Sequence, residues 1–233
     1  MRPSVFLAAL SGLAFVGAQS NTVPVTGLLG NASIVTDNPV GVTYKATLPN
    51  KNTTGIRGSV SGTANSNGTG VVFTVDLSGF PSSGGPFLYH IHSTPVPTDG
   101  NCTGTLGHLD PTERGEMPSC DPTQPETCQV GDLAGKHGKI TTSPFTASYL
   151  DLYPSTKEGI GAFFGNRSLV VHFGNTTRIT CANFTLVSNS TGGNGTKPTS
   201  PAPVPSSYTS AAAAETLVSL ATVFAGFAAS FFL

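Results

Sequence analysis

Phe87-Leu88-Tyr89-His90-Ile91-His92 is a short apolar run that closes on two histidines at alternate positions. Residues i and i+2 of a β-strand project from one face, so His90 and His92 can reach the same ion. Tyr89 and Ile91 then face the other side, as in a half-buried strand. Two more of the chain's five histidines sit in comparable settings: His108 in Leu-Gly-His-Leu-Asp-Pro (106–111) and His172 in Ser-Leu-Val-Val-His-Phe (168–173). His172 shares its strand face with Val170, while Leu169, Val171 and Phe173 take the opposite one. Four imidazoles on two strands and a loop read as one metal centre, and such a donor set suits copper.

The alternation around this stretch is widespread. Val42, Tyr44, Ala46 and Leu48 alternate with Gly41, Thr43, Lys45 and Thr47, and Val71, Phe73, Val75 and Leu77 with Val72, Thr74 and Asp76. Similar runs lie at 56–64, 87–93, 145–152, 168–173 and 179–187, with breakers such as Asn-Ser-Asn-Gly (65–68) and Pro-Ser-Ser-Gly-Gly-Pro (81–86) between them. No helical period stands out. Short alternating strands with Gly/Pro turns imply an all-β antiparallel sandwich or barrel. One irregular segment, 94–136, breaks the rhythm and carries His108 and three of the four cysteines. An insert of that length is expected to be functional.

Both ends read as addresses rather than fold. Residues 1–18 combine Arg2, an apolar run and Val16-Gly17-Ala18, the pattern of a signal peptide. Residues 217–233 are apolar and uncharged, follow small residues including the candidate attachment sites Ser207 and Ser210, and read as a glycosylphosphatidylinositol signal. Residues 188–216, rich in Ser, Thr, Pro and Gly, read as a glycosylated stalk. A segment at 19–37 precedes the expected globular domain at 38–187. Nine Asn-x-Ser/Thr sequons imply a glycosylated surface. Of these, Asn31, Asn52, Asn67, Asn166, Asn175, Asn189 and Asn194 are the candidates, because Asn101 adjoins a cysteine and Asn183 falls in a strand. With a net charge of −1 and 10% charged residues nothing suggests a nucleic-acid partner, and none is expected. Glu113, Arg114 and Glu116 read as a solvated cluster, and His137 as a solvated or backbone-bonded loop residue.

Cys102, Cys120, Cys128 and Cys181 are even in number in a secreted chain, so two disulfides are expected. Four cysteines allow three pairings. In the favoured one Cys120–Cys128 closes a short loop and Cys102–Cys181 ties the long loop to the last strand. The latter spans 79 residues and is worth about 4 kcal/mol on the chain-entropy account.

Over roughly 42–187 these residues together resemble the copper/zinc superoxide dismutase family. The shared pieces are His-x-His on a strand, Gly-His-Leu-Asp-Pro (107–111), Gln-Val-Gly-Asp-Leu (129–133), Leu-Val-Val-His (169–172) and Arg-Ile-Thr-Cys (178–181). The resemblance implies a Greek-key β-sandwich or barrel with one long disulfide-tied loop. It matches His90, His92 and His172 to the copper-only ligands and His108 to the histidine that bridges copper and zinc. Cys102 and Cys181 match the family disulfide, and Arg178 the arginine beside copper.

Two departures narrow this. No histidine lies between Leu109 and Cys128, and Gln129 stands where a zinc ligand belongs, which leaves Asp132 of the zinc-only set. A structural zinc site needs four ligands, so copper without zinc is expected. Only five residues separate His172 from Arg178, so the family's long charged loop is missing and the copper should lie open. Together with the secretion and anchor signals this resembles the fungal cell-surface copper-only members. It implies an extracellular superoxide dismutase, attached to membrane or wall and expected to be monomeric. His108 would carry a proton to the reduced product, with Asp132 holding its far ring nitrogen and Gln129 assisting. A non-catalytic copper-binding or structural wall protein on the same fold is the alternative.

Overall fold

The computed structural model describes residues 24–188, and the periodicity of the sequence becomes burial in it. Along 71–77 Val71, Phe73, Val75 and Leu77 are buried, whereas Thr74 and Asp76 are exposed. Seven strands form among the described residues: β1 (Thr43–Thr47), β2 (Arg57–Ala64), β3 (Val71–Ser78), β4 (Leu88–His92), β5 (Phe145–Asp151), β6 (Ser168–His172) and β7 (Arg178–Ser188). They make one curled sheet in the order β4-β6-β7-β1-β2-β3-β5, and every neighbouring pair is antiparallel. The chain crosses from one edge of the sheet to the other between β3 and β4, and back between β4 and β5, which is the Greek-key connectivity of an all-β sandwich.

The core fills the curl. Phe164 packs against Tyr44, Phe73 and Phe184, with ring centroids 5.8, 5.3 and 5.0 Å away. Gly62 of β2 lies beneath these rings: a Cβ there would stand 2.6 Å from Phe164 Cζ, so the close approach requires glycine.

β4 departs from the half-buried expectation, since all five of its residues are buried. Tyr89 and Ile91 face the core, and the long loop covers the rest. Ile91 receives a hydrogen bond from Leu109 N (2.8 Å) and donates to Gly131 O (2.9 Å), while Gly131 N reaches Leu109 O (2.8 Å). A short helix, α1 (Leu133–His137), then packs beside β4. Five residues are too few to show a helical period in sequence.

Residues 24–37, set apart from the expected domain, are packed on it as an extended strap. Val35 N bonds Leu152 O, Ala32 N bonds Glu126 O, and Thr26 Oγ1 accepts from both Glu116 N and Met117 N. Gly115, at φ 79°, lies against the strap, where a Cβ would stand 2.8 Å from Gly27 Cα.

Disulfides join Cys102 to Cys181 and Cys120 to Cys128, with Cα separations of 5.7 and 4.7 Å. The described sequons Asn31, Asn52, Asn67, Asn101, Asn166, Asn175 and Asn183 are all exposed. Asn183 is nevertheless engaged, accepting from Val96 N at 2.6 Å. The signal segment, Asn189, Asn194, Ser207, Ser210 and the apolar tail lie outside the described residues.

Two readings of charged residues are corrected. Arg114 is buried rather than solvated, and donates to the carbonyls of Thr127 and Pro118. His137 stacks on Tyr149 at 3.9 Å and contacts Asp151 at 2.9 Å, where the carboxylate also meets Lys136 Nζ at 2.6 Å. Lys136 and Asp151 are both fully buried, which a carboxylate and an ammonium accept only as a pair.

Candidate metal centre

β4 supplies His90 and His92, and β6 ends on His172. Between Val171 and His172 the register with β7 shifts, so that Val171 pairs with Thr180 but His172 with Arg178. This bulge, at the end of β6, re-aims a side chain and brings His172 and Arg178 side by side. His108 arrives on the long loop through an antiparallel bridge to His92. The ring centroids of His90 and His108 are 4.1 Å apart, of His90 and His172 4.9 Å, and of His92 and His172 5.2 Å. The four histidines singled out in the sequence therefore form one cluster.

Hydrogen bonds set which nitrogen of each ring is free. His92 Nδ1 faces Leu106 O at 2.8 Å, and His172 Nδ1 faces Thr176 O at 2.8 Å. A carbonyl only accepts, so both Nδ1 atoms carry the proton and both Nε2 atoms present lone pairs. Those two Nε2 atoms stand 3.1 Å apart. Asp110 Oδ2 accepts from Gln129 Nε2 at 3.0 Å, and this orientation turns Gln129 Oε1 onto His108 Nδ1 at 2.5 Å. His108 consequently has its free lone pair on Nε2 as well. His90 is the reverse: its Nε2 lies 3.4 Å from Asp132 Oδ1, while its buried Nδ1 has no hydrogen-bond partner among the described residues. An orphaned buried imidazole nitrogen beside three convergent lone pairs is the arrangement a metal ion completes. Ligand atoms of His90, His92 and His108 all lie within 4.8 Å of one another.

The electrostatics agree. Burial, then the neighbouring imidazoles and Lys139, hold His90 well below the usual histidine range. Burial foremost, reinforced by His108, lowers His92 to about 3 against the opposing bond to Leu106. Burial likewise lowers His172 to about 4, although the bond to Thr176 opposes it. All three rings are neutral at physiological pH, the form that binds a metal.

Asp132 differs from expectation. It does not reach the far nitrogen of His108, which belongs to Gln129. Its Oδ1 instead accepts from Gly135 N at 2.7 Å as the N-cap of α1, and that cap turns the carboxylate towards His90. Arg178 is held rigidly beside the cluster. Its Nη1 donates to Cys102 O, Thr103 O and Thr105 Oγ1, and its Nη2 to Leu106 O. Sequence reasoning missed Asp110 and the carbonyls of Leu106 and Thr176. Asp110 was visible two residues after His108, whereas a backbone acceptor leaves no trace in side-chain identity.

No family model matches the chain. Among curated proteins, a cell surface Cu-only superoxide dismutase of Arthroderma benhamiae is 45% identical over 216 residues, covering 80% of this chain and 55% of the relative. The chain thus spans about half the length of that relative. Cell surface Cu-only superoxide dismutase 5 of Candida albicans is 40% identical over 160 residues, covering 69% of this chain and 68% of the relative. The chain belongs to the cell-surface copper-only superoxide dismutase family. The solved Cu(II) form of superoxide dismutase 5 from Candida albicans aligns with a TM-score of 0.60 and 38% identity, over 68% of this chain and all of that one. Within the copper-only superoxide dismutases, this chain places four histidines, Arg178 and Gln129 around one cleft, with Asp110 bonded to Gln129 behind it.

Proposed function

We propose that the chain is an extracellular superoxide dismutase that holds one copper ion through His90 Nδ1 and the Nε2 atoms of His92, His108 and His172, and uses no zinc. The observation that carries this is the convergence of four free imidazole lone pairs, each fixed by a hydrogen bond or left unpartnered, beside an immobilised guanidinium. Copper bound there supplies one-electron chemistry, cycling between Cu(II) and Cu(I) as one superoxide is oxidised and the next reduced.

The chain's own groups do the rest. Arg178 offers a fixed positive charge to a small anion at the cluster. His108 Nε2, when its lone pair is not engaged by the metal, can hold a proton taken from solvent and release it to the reduced product, while Gln129 keeps Nδ1 protonated and the ring in place. An amide does not ionise, so Gln129 orients the ring and the exchangeable proton stays at Nε2. Two superoxide ions and two protons give one dioxygen and one hydrogen peroxide. The engagement of His108 Nδ1 by Gln129 also supports the zinc-free reading, because that nitrogen is the one a neighbouring zinc would need. The signal-like pattern of residues 1–18, the exposed sequons and the apolar tail after a Ser/Thr/Pro-rich stretch support a further reading, that the chain is a glycosylated monomer held at the cell surface by a lipid anchor at Ser207 or Ser210.

The test is to express residues 19–205, load copper, and follow superoxide decay with and without added zinc. Rapid decay with copper alone, indifferent to zinc and abolished in His172→Ala with both disulfides intact, is the expected result. Copper bound without superoxide decay would point instead to a non-catalytic copper-binding protein.

A further inference from the structure

The histidine cluster opens into a cleft of about 610 Å³. Among the described residues, four charged side chains line it: Arg178, Asp132, Glu116 and Lys139. Two of them are committed. Arg178 is tied to four acceptors of the 102–106 turn, and Asp132 caps α1 and faces His90. Lys139 is exposed and, among the described residues, its ammonium makes no hydrogen bond or ion pair. Its backbone is nonetheless fixed on both sides. Gly138 N closes α1 on Ala134 O at 3.0 Å, and Ile140 exchanges hydrogen bonds with Phe87 at 2.9 and 2.8 Å. A mobile cationic tip therefore stands on a rigid base beside β4, the strand that carries His90. Its charge is felt at the His90 ring. The other free charge in the cleft wall is exposed Glu116, of opposite sign, whose backbone is pinned by Thr26.

We propose that Lys139 guides the substrate: its free ammonium draws superoxide into the cleft and towards Arg178, against the opposing field of Glu116. The inference rests on the superoxide dismutase reading above and adds a residue to it. Without a long loop between His172 and Arg178 to shape the field, one unpaired cation at the cleft wall has a large share in what an approaching anion meets. Asp132 and Glu116 offset part of this field, so the sign an approaching anion meets depends on where the cations stand; a cation on its path raises the encounter rate, and the gain disappears as salt shortens the screening length.

The test compares copper-loaded wild type with K139A, K139R and E116Q, measuring kcat/KM for superoxide by pulse radiolysis across a range of ionic strength. K139A should be about threefold slower at low salt and converge on wild type at high salt, whereas E116Q should be faster at low salt and K139R unchanged. Azide, titrated by its absorption on the copper-loaded protein, should bind K139A about threefold more weakly at low salt. A K139A rate, salt slope and azide affinity equal to wild type would overturn the proposal, as would a deficit that persists undiminished at high salt. If wild type binds copper but leaves superoxide untouched, the dismutase reading fails, and the azide titration still decides whether Lys139 attracts anions.

Discussion

Asp110 is a carboxylate with nothing to donate, and through that restriction it fixes a proton two hydrogen bonds away. It compels Gln129 to present its amide nitrogen, which turns the amide oxygen onto His108 and leaves Nε2 free. Gln129→Leu removes the acceptor while keeping the bulk. Turnover should fall about tenfold, the usual scale for losing such an orienting partner, with copper stoichiometry retained. Copper content by atomic absorption beside kcat as a function of pH checks this; unchanged turnover would remove Gln129 from the proton path. That four histidines would cluster with Arg178 beside them was legible because imidazole and guanidinium are scarce and their spacing was informative. The partner of His108 was misassigned to Asp132, since sequence shows that a carboxylate is nearby but not that its oxygen caps a helix.

At the scale of elements, the seven described strands match the sequence runs to within a residue or two, because β3 and β5 alternate in exposure and the fully buried β4 and β6 are short apolar runs. Two elements left none. α1 is too short to show a period, and the strap at 24–37 is held chiefly by backbone hydrogen bonds, with Val25, Leu28 and Ile34 exposed. α1 depends on Asp132. Asp132→Ala should destabilise the domain by about 1 kcal/mol through loss of the N-cap. It should also weaken copper binding, because His90 Nε2 loses the carboxylate that keeps Nδ1 free. Urea unfolding of the metal-free protein isolates the first effect, and competition with a copper chelator the second. Copper affinity equal to wild type would show that His90 orients without Asp132.

For the molecule as a whole, the buried Lys136–Asp151–His137 group ties the α1 end of the long loop to the sheet edge at β5. Burial raises the Asp151 carboxyl, but Lys136 and His137 outweigh it and hold the group below its ordinary value of 3.8. The folded protein therefore binds this proton less readily than the unfolded chain. The resulting stability is complete above the unfolded value of 3.8 and is lost as pH falls through the lower folded value. Asp151→Asn leaves Lys136 buried without a counter-charge, and should cost about 3 kcal/mol at neutral pH while flattening the acid dependence below pH 4. Urea midpoints between pH 2.5 and 7, about 25 °C, report both effects; equal midpoints at neutral pH would mean the ammonium escapes to solvent. The same whole-molecule view bears on when the protein can fold. β1, near the start of the domain, is flanked by β2 and β7, and Cys102 waits for Cys181. During synthesis the first hairpins can form early, but β1 keeps one open edge until Ser188 has been added to the chain. The nascent chain thus carries an unpaired strand for most of its synthesis, and oxidation of Cys102 before Cys181 arrives would favour a wrong partner. Correct assembly is a matter of timing, decided at the last strand.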